Sequence, residues 1–166
     1  MTARDDDTAS RVVTAYDWGA LGDVLDVGGG DGTLLIALLN EYPSLRGRVL
    51  DLPETAEAAR KRIEAAGLED RAGAVAGDFF AELPPGAEGY LLAAVLREWG
   101  DDDARRILRR CAEAAGGDGA VFVIESVAAG AARDLAALTA LAESAGLTVE
   151  NVHDGNELAV LELNAP

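Results

Sequence analysis

The sequence predicts an α/β protein built on a mostly parallel sheet with helices on both faces. Short apolar strand patterns alternate with helical patterns along most of the chain. The segment "GYLLAAVL" (89–96) is apolar almost throughout, as strands buried on both faces of a parallel sheet are. The last two strand patterns flank the turn-rich "HDGN" (153–156), which predicts a terminal antiparallel hairpin.

The individual elements follow from apolar periodicity and from the residues that break it. The expected strands are 23–27, 47–52, 72–80, 89–96, 119–126, 147–152 and 157–163, and the expected helices are 33–42, 53–66, 102–115 and 131–145. Pro43 ends the first helix and Pro53 begins the second, because proline has no N–H but fits the first helical turn. Cys111 falls on the apolar face of the third helix and is expected to pack there.

Length and composition indicate one globular domain. The chain has 166 residues, of which 49% are hydrophobic and 27% are charged. We expect residues 1–10 to form a flexible acidic terminus and residues 11–166 to form a single domain. No apolar run approaches the roughly 20 residues that cross a bilayer. The N-terminus lacks the apolar core of a signal peptide, so a cytoplasmic location is expected.

The charge balance narrows the class of partner. Fourteen basic and 30 acidic residues give a formal net charge of −16, which disfavours binding to nucleic acid or to an anionic membrane. A small-molecule ligand is therefore expected. One cysteine and one histidine exclude an internal disulfide and an ordinary histidine or cysteine metal site. His153 is expected to be an exposed turn residue.

The glycine-rich stretch "DVGGGDG" (26–32) lies between the first strand and the first helix. Ligands of open parallel sheets bind beyond the carboxyl ends of the strands, where Gly28 and Gly30 would let the backbone approach closely. A dinucleotide fingerprint would need glycine at position 33, which is Thr33, and no phosphate-binding lysine follows. Asp26, which opens the stretch, suits a ligand with an ammonium group.

Two more strand ends carry residues suited to a nucleoside. Asp51 ends the second strand, where it can accept hydrogen bonds from ribose hydroxyls. After the third strand, Asp78 can accept from an adenine amino group and Phe79 can pack against the ring. A helix cap at Asp51 and a core position for Phe79 are the structural alternatives. Features at three successive strand ends favour a binding site over a purely structural turn.

At these residues the chain resembles the class I S-adenosylmethionine-dependent methyltransferases, and more narrowly the O-methyltransferases of bacterial polyketide, enediyne and anthracycline pathways. The resemblance runs over about residues 12 to 126, through "AYDWGALGDVLDVGGGDG", "VLDLPETAEAAR", "GLEDRAGAVAGDFFAELPPGAEGYLL" and "DDDARRILRRCAEAAGGDGAVFVIE". It implies a Rossmann-like, seven-stranded sheet with an antiparallel last strand and S-adenosylmethionine as the cofactor. The cofactor site it implies comprises Asp26, Gly28, Gly30, Asp51, Leu52, Asp78 and Phe79, with Ala93 close to the methionine end.

The chain departs from this family in three places. Members carry a helical N-terminal domain used for dimerisation, whereas here only a short segment precedes Asp23. Members also have a long helical insertion where this chain has only Val127–Ser144. Where many members read His-Asp-Trp, this chain reads Arg97-Glu98-Trp99. The family histidine accepts the proton of the substrate hydroxyl, which the always-protonated guanidinium of Arg97 cannot do.

Three hypotheses follow, and they leave open whether the chain is an enzyme. The leading one is an O-methyltransferase-like domain that positions an already acidic hydroxyl, such as a phenol, for methylation without a protein base. The second is a truncated or minimal domain that binds cofactor but has no independent methyltransferase activity. Such a domain would need a homodimer or another partner chain, or would use the cofactor in non-methylating chemistry. The third is a vestigial glycine loop that binds nothing.

Overall fold

A seven-stranded sheet forms the centre of the structure, a computed structural model that describes residues 6–155 and 157–165. In chain order the strands are β1 (Asp23–Val27), β2 (Arg46–Asp51), β3 (Ala72–Ala76), β4 (Gly89–Ala93), β5 (Ala120–Ser126), β6 (Thr148–Gly155) and β7 (Leu158–Asn164). Their order in the sheet is β3-β2-β1-β4-β5-β7-β6. The first five strands are parallel, and β7 runs antiparallel to β5 and β6. The predicted fold class is confirmed.

Five helices accompany the strands within the described ranges. They are α1 (Asp6–Ala15), α2 (Thr33–Glu41), α3 (Pro53–Ala65), α4 (Asp101–Ala115) and α5 (Leu135–Ser144), with short 3₁₀ turns at Trp18–Ala20 and Leu96–Glu98. The sequence pattern predicts the last four helices but not α1. This helix takes in residues 6–10 of the segment expected to be flexible, and the domain boundary at residue 10 stays a prediction. No helix within the described ranges is long and apolar enough to span a membrane.

Each face of the sheet is covered by its own set of helices. Helices α1, α2 and α3 pack on one face through buried side chains that include Val12, Leu34, Leu35, Leu38 and Ile63. Helices α4 and α5 cover the other face through Ile107, Leu108, Cys111, Leu138 and Leu141. The packing role predicted for Cys111 is confirmed, because its side chain is fully buried and burial raises the pKa of its thiol.

The order of the strands determines where a ligand can bind. From β1 the chain adds β2 and β3 on one side, then returns to place β4 and β5 on the other side. The strand order therefore reverses between β1 and β4. In open α/β sheets the connections diverge at this point and leave a crevice beyond the carboxyl ends of the strands.

Two predicted strands end earlier than the sequence suggested. Strand β3 ends at Ala76 instead of residue 80, and the residues after it form a loop. Strand β4 ends at Ala93 instead of residue 96, because Ala94 adopts a positive φ of 59° that a strand cannot accommodate. A 3₁₀ turn then follows. Both corrections shorten strands at the crevice edge of the sheet, where they leave loops.

The structure corrects the expectation for His153. Strand β6 continues through Gly155, so His153 lies within the strand and is only partly exposed. Its ring packs edge-on against Tyr16, with a centroid separation of 5.0 Å, and its Nε2 lies 3.9 Å from a carboxylate oxygen of Glu162. Of the predicted turn, Asn156 lies outside the described residues.

Candidate functional site

A cleft of about 440 Å³ opens at the carboxyl ends of β1, β2 and β4, at the reversal of strand order. Three stretches of chain supply most of its walls: the glycine loop after β1, the start of the loop after β3, and the segment after β4. The residues that line it are Asp26, Gly28, Gly29, Asp51, Phe79, Ala93, Ala94, Val95, Arg97, Glu98 and Trp99.

The glycine loop requires glycine for two different reasons. Gly28 has a φ of +70°, and a Cβ there would lie 2.9 Å from Cγ2 of Val95. Its N–H donates to the carbonyl of Leu50 at 2.8 Å, which holds the loop against β2. A Cβ on Gly29 would lie 2.7 Å from the carboxyl carbon of Asp26. A larger residue at either position would have to displace its neighbours.

Asp26 is a buried carboxyl that lines the cleft without a hydrogen-bond partner in the described part of the chain. It is the fourth residue of β1 and only 1% exposed. Neither carboxyl oxygen accepts a hydrogen bond from any described residue. Burial, with a smaller contribution from the negative charge of Asp51, raises its pKa to about 7. A cation bound beside this carboxyl would restore its ionised form.

Asp51 joins the end of β2 to the glycine loop. One carboxylate oxygen accepts the N–H of Gly30 at 2.9 Å, and the other accepts the N–H of Leu52 at 2.8 Å. A carboxylate oxygen can accept more than one hydrogen bond, so each retains capacity for a ligand hydroxyl. Leu52 follows with 60% of its surface exposed. This is a high exposure for a large apolar side chain beside a cleft.

A smaller pocket of about 190 Å³ continues from the cleft past Asp51. Its walls are mainly apolar and include Leu52, Phe79, Phe80 and Trp99, with Gly77 and Asp78. The ring of Phe80 packs edge-on against that of Trp99 with a centroid separation of 4.9 Å, which fixes both rings. One oxygen of Asp78 accepts the N–H of Phe80 at 2.9 Å, which anchors the carboxylate at the pocket.

The segment after β4 is held in place by Arg133, from the connection between β5 and α5. Its guanidinium donates to the carbonyls of Leu96 at 2.9 Å and Trp99 at 2.8 Å, and pairs with the carboxylate of Asp101 at 2.9 Å. Three acceptors from one short segment make Arg133 a clamp on the 3₁₀ turn that carries Arg97. Sequence reasoning missed Arg133, because two of its acceptors are backbone carbonyls that leave no trace in the sequence.

Glu125, near the end of β5, is a second buried carboxyl next to this turn. It is 5% exposed, and its Oε2 atom has no hydrogen-bond partner among the described residues. Burial raises its pKa to about 7, although the charge and backbone N–H of Arg97 and the charge of Arg133 act in the opposite direction. Within the described ranges, no group of histidine, cysteine and carboxylate side chains is arranged to hold a metal ion.

The structure brings the eight predicted site residues to one edge of the sheet. Asp26, Gly28, Asp51, Phe79 and Ala93 line the larger cleft, Leu52 and Asp78 line the smaller pocket, and Gly30 binds Asp51. Their roles as cofactor ligands remain predictions. Sequence reasoning did not assign Gly29, Ala94, Val95 or Phe80 to the site. Of these, Gly29 and Phe80 adjoin predicted residues, whereas nothing in the sequence marks the positive φ of Ala94.

The fold and the cleft define an α/β domain of the kind that binds a nucleoside-containing cofactor beyond its parallel strands. Residues 1–159 match the O-methyltransferase domain family, and the chain belongs to this family. It is 47% identical to the 2,7-dihydroxy-5-methyl-1-naphthoate 7-O-methyltransferase of Streptomyces carzinostaticus, over 93% of this chain and 52% of that protein. It is 45% identical to the aclacinomycin 10-hydroxylase of Streptomyces purpurascens, over 75% of this chain and 33% of that protein.

Solved structures show the same relationship. An O-methyltransferase of neocarzinostatin biosynthesis, in complex with S-adenosyl-L-homocysteine and 1,4-dihydroxy-2-naphthoic acid, superposes with a TM-score of 0.90 at 46% identity. The match covers 95% of this chain and 53% of that one. The chain thus spans about half the length of the relatives it matches. Among the described residues, two large hydrophobic side chains are highly exposed, those of Leu52 and Val152. Leu52 follows β2, whereas Val152 lies in the edge strand β6, so the two do not form one patch.

The raised pKa of Asp26 predicts a pH-dependent stability that Asp26→Asn removes. Between the ordinary pKa of 3.8 and about 7, the folded chain keeps a proton that the unfolded chain has lost, so raising the pH destabilises the fold. From pH 5.5 to 7.5 this lowers the free energy of unfolding by about 2 kcal/mol. The Asn variant is therefore expected to gain about that amount over the wild type, measured by urea denaturation.

The control is Asp118→Asn, which alters an exposed carboxyl in the turn before β5. It should follow the wild type at both pH values. Glu125 contributes equally to wild type and variant and cancels in the difference. A wild-type-minus-variant difference that does not change between the two pH values would show that Asp26 titrates normally.

Proposed function

We propose that this chain is an S-adenosylmethionine-binding O-methyltransferase domain that acts on a phenolic hydroxyl of a small natural product. The observation that carries the proposal is the buried, unpartnered carboxyl of Asp26 at the head of a glycine loop, in a chain of this family. The named relatives include a naphthoate O-methyltransferase, which supports the phenolic class. A cytoplasmic location stays a prediction.

The residues present fit this cofactor at each of its three parts. Asp26 offers an unpaired carboxyl to the methionine ammonium, with Ala93 beside it in the cleft. Asp51 offers carboxylate oxygens to the ribose hydroxyls. The smaller pocket offers an apolar slot to the adenine ring, with Asp78 placed to accept from its amino group. Gly28 and Gly29 keep the loop close to Val95 and Asp26, because a Cβ at either position would clash with these side chains.

When bound, S-adenosylmethionine supplies a methyl group on a positively charged sulfur, which an oxygen nucleophile can accept. The chain's own contribution is to orient and to exclude water. Arg133 fixes the turn that carries Arg97, Glu98 and Trp99 along one wall of the cleft. Because Arg97 cannot accept a proton, the proposed substrate hydroxyl is one acidic enough to lose its proton to water. Positioning then supplies the rate enhancement.

A second candidate function is cofactor binding without independent methyl transfer. One observation favours it: Arg97 stands where many members of the family that the chain resembles have histidine. In this case a second copy or a partner chain would complete the substrate side of the cleft, or the cofactor would serve other chemistry. One of the named relatives is a hydroxylase.

Titration calorimetry with S-adenosylmethionine tests the binding step. We expect a dissociation constant in the micromolar range. Asp51→Ala should weaken binding by about 10- to 100-fold, since a hydrogen bond to a charged group contributes about 1.5–3 kcal/mol. The matched control is Asp23→Ala, at the opposite end of the neighbouring strand, which should bind as the wild type does. No binding at millimolar cofactor would overturn the proposed function.

A transfer assay separates the two candidate functions. With labelled S-adenosylmethionine and phenols of graded acidity, mass spectrometry should show methyl ethers from the acidic phenols only. Arg97→His restores a proton acceptor and should extend methylation to weakly acidic phenols, at least tenfold above the wild type. Binding without any methyl ether from either protein would favour the second candidate. Equal rates for both proteins on weakly acidic phenols would refute the argument from the missing base.

A further inference from the structure

Arg97 is a cation in the cleft, and its charge favours the ionised form of the buried Glu125. Arg97 lines the cleft together with Asp26 and Trp99. Within residues 6–155 and 157–165, its guanidinium makes no hydrogen bond or ion pair, whereas the nearby Arg133 binds two carbonyls and the carboxylate of Asp101. Arg133 thus holds the turn in place, and the Arg97 side chain makes none of the hydrogen bonds or ion pairs that do so.

The chemistry of a guanidinium limits what it can bind. It is always charged, offers five N–H donors in a planar fork, and accepts nothing. Its natural counterpart is an anionic oxygen, which charge-assisted hydrogen bonds hold with about twice the strength of neutral ones. Arg97 is partly buried, so an anion bound there would be screened by solvent less than one on the open surface.

The carboxyl groups around the cleft do not form ion pairs with Arg97, so its positive charge can attract an anionic ligand. Burial raises the pKa of Asp26 and of Glu125 to about 7, so neither is a full negative charge at neutral pH. Asp51 also lines the cleft and already accepts two backbone N–H groups. Glu98 is the competing carboxylate on the same turn, and it forms no ion pair with Arg97. Arg97 is therefore the permanent cation that the described lining residues present.

The same wall offers an apolar surface for an aromatic ring. Trp99 lines the cleft two residues after Arg97, and Val95 lines it two residues before. Contacts with Phe79 and Phe80, at centroid separations of 5.9 and 4.9 Å, hold the indole in place. A cation flanked by fixed apolar side chains matches a ligand that joins an anionic oxygen to an aromatic ring.

We propose that Arg97 binds an anionic oxygen carried by an aromatic substrate, either a phenolate or a ring carboxylate, and so selects ionised substrates over neutral ones. The proposal rests on the proposed function, whose substrate class it narrows. A phenolate has already lost its proton to water when it binds. The absence of a proton acceptor at position 97 is then no obstacle, because the residue selects the ionised form instead of creating it.

The first arm of the test uses 4-nitrophenol, whose two ionisation states differ in absorbance. The protein is saturated with S-adenosyl-L-homocysteine, so that no methyl group is transferred, and bound nitrophenol is titrated with pH. We expect its pKa to fall by about one unit or more on binding to the wild type, equivalent to tenfold or greater preference for the phenolate. Arg97→Met should abolish the shift, and Arg97→Lys should retain most of it.

The second arm tests a carboxylate without a hydroxyl group. The wild type should bind 1-naphthoate at least tenfold more tightly than the neutral 1-naphthalenemethanol, and Arg97→Met should remove that preference. A preference in only one arm identifies the oxygen that Arg97 binds. Glu98→Gln removes the competing carboxylate and should tighten anion binding. Arg109→Met, which removes an exposed arginine of α4, should behave as the wild type.

Calorimetry with S-adenosyl-L-homocysteine on every variant separates the possible failures. If the cofactor product binds but neither probe shows a preference that depends on Arg97, the present inference is wrong and the proposed function stands. Failure of nitrophenol and naphthoate to bind at all would also overturn the inference. If Arg97→Met alone misfolds and no longer binds S-adenosyl-L-homocysteine, the probe measurements are repeated with two other variants. Arg97→Lys keeps the positive charge, and Arg97→Gln removes it.

Discussion

A carboxyl group buried without a hydrogen-bond partner is the constraint on which the site depends. Removing a carboxylate from water is unfavourable, and no described residue donates a hydrogen bond to Asp26 to offset that cost. The folded chain tolerates the group because its pKa rises to about 7 and it carries a proton over much of the accessible pH range. A structural role would be served better by an apolar side chain. We propose that a ligand cation makes the missing interaction, through the cleft that Asp26 lines.

The two halves of the cleft are organised by different means. On the nucleoside side, backbone N–H groups bind the carboxylate of Asp51 and steric contacts require Gly28, so the geometry is set before any ligand arrives. On the opposite side, one arginine from the β5–α5 connection fixes the turn after β4. A short connection thus supplies, through Arg133, an anchor for the wall that carries Arg97. We propose that the first half binds the cofactor and that the second half selects among substrates.

Much of this arrangement could be predicted, because a parallel sheet places the ends of successive strands at one edge. Asp26 and Asp51 lie near the carboxyl ends of β1 and β2, and Asp78 follows β3, so their proximity follows from strand order alone. Helix α1 was missed since its valines and threonines have modest helix propensity, and it forms by burying Ala9 and Val12 against α2. Arg133 was missed because its partners are backbone carbonyls. The expectation for His153 was wrong because pairing with β7 extends β6 through Gly155, into the turn-rich residues.

The most direct test of the account is the titration of Asp26 itself, followed through the ¹³C chemical shift of its carboxyl carbon. Without ligand, we expect the carboxyl to titrate with a pKa of about 7. Saturation with S-adenosyl-L-homocysteine, which brings an ammonium group, should lower that pKa by at least one unit, because a nearby cation favours the carboxylate. Adenosine, which fills only the nucleoside side, should leave it unchanged. The same titration in all three states would contradict the claim that Asp26 is reserved for a ligand cation.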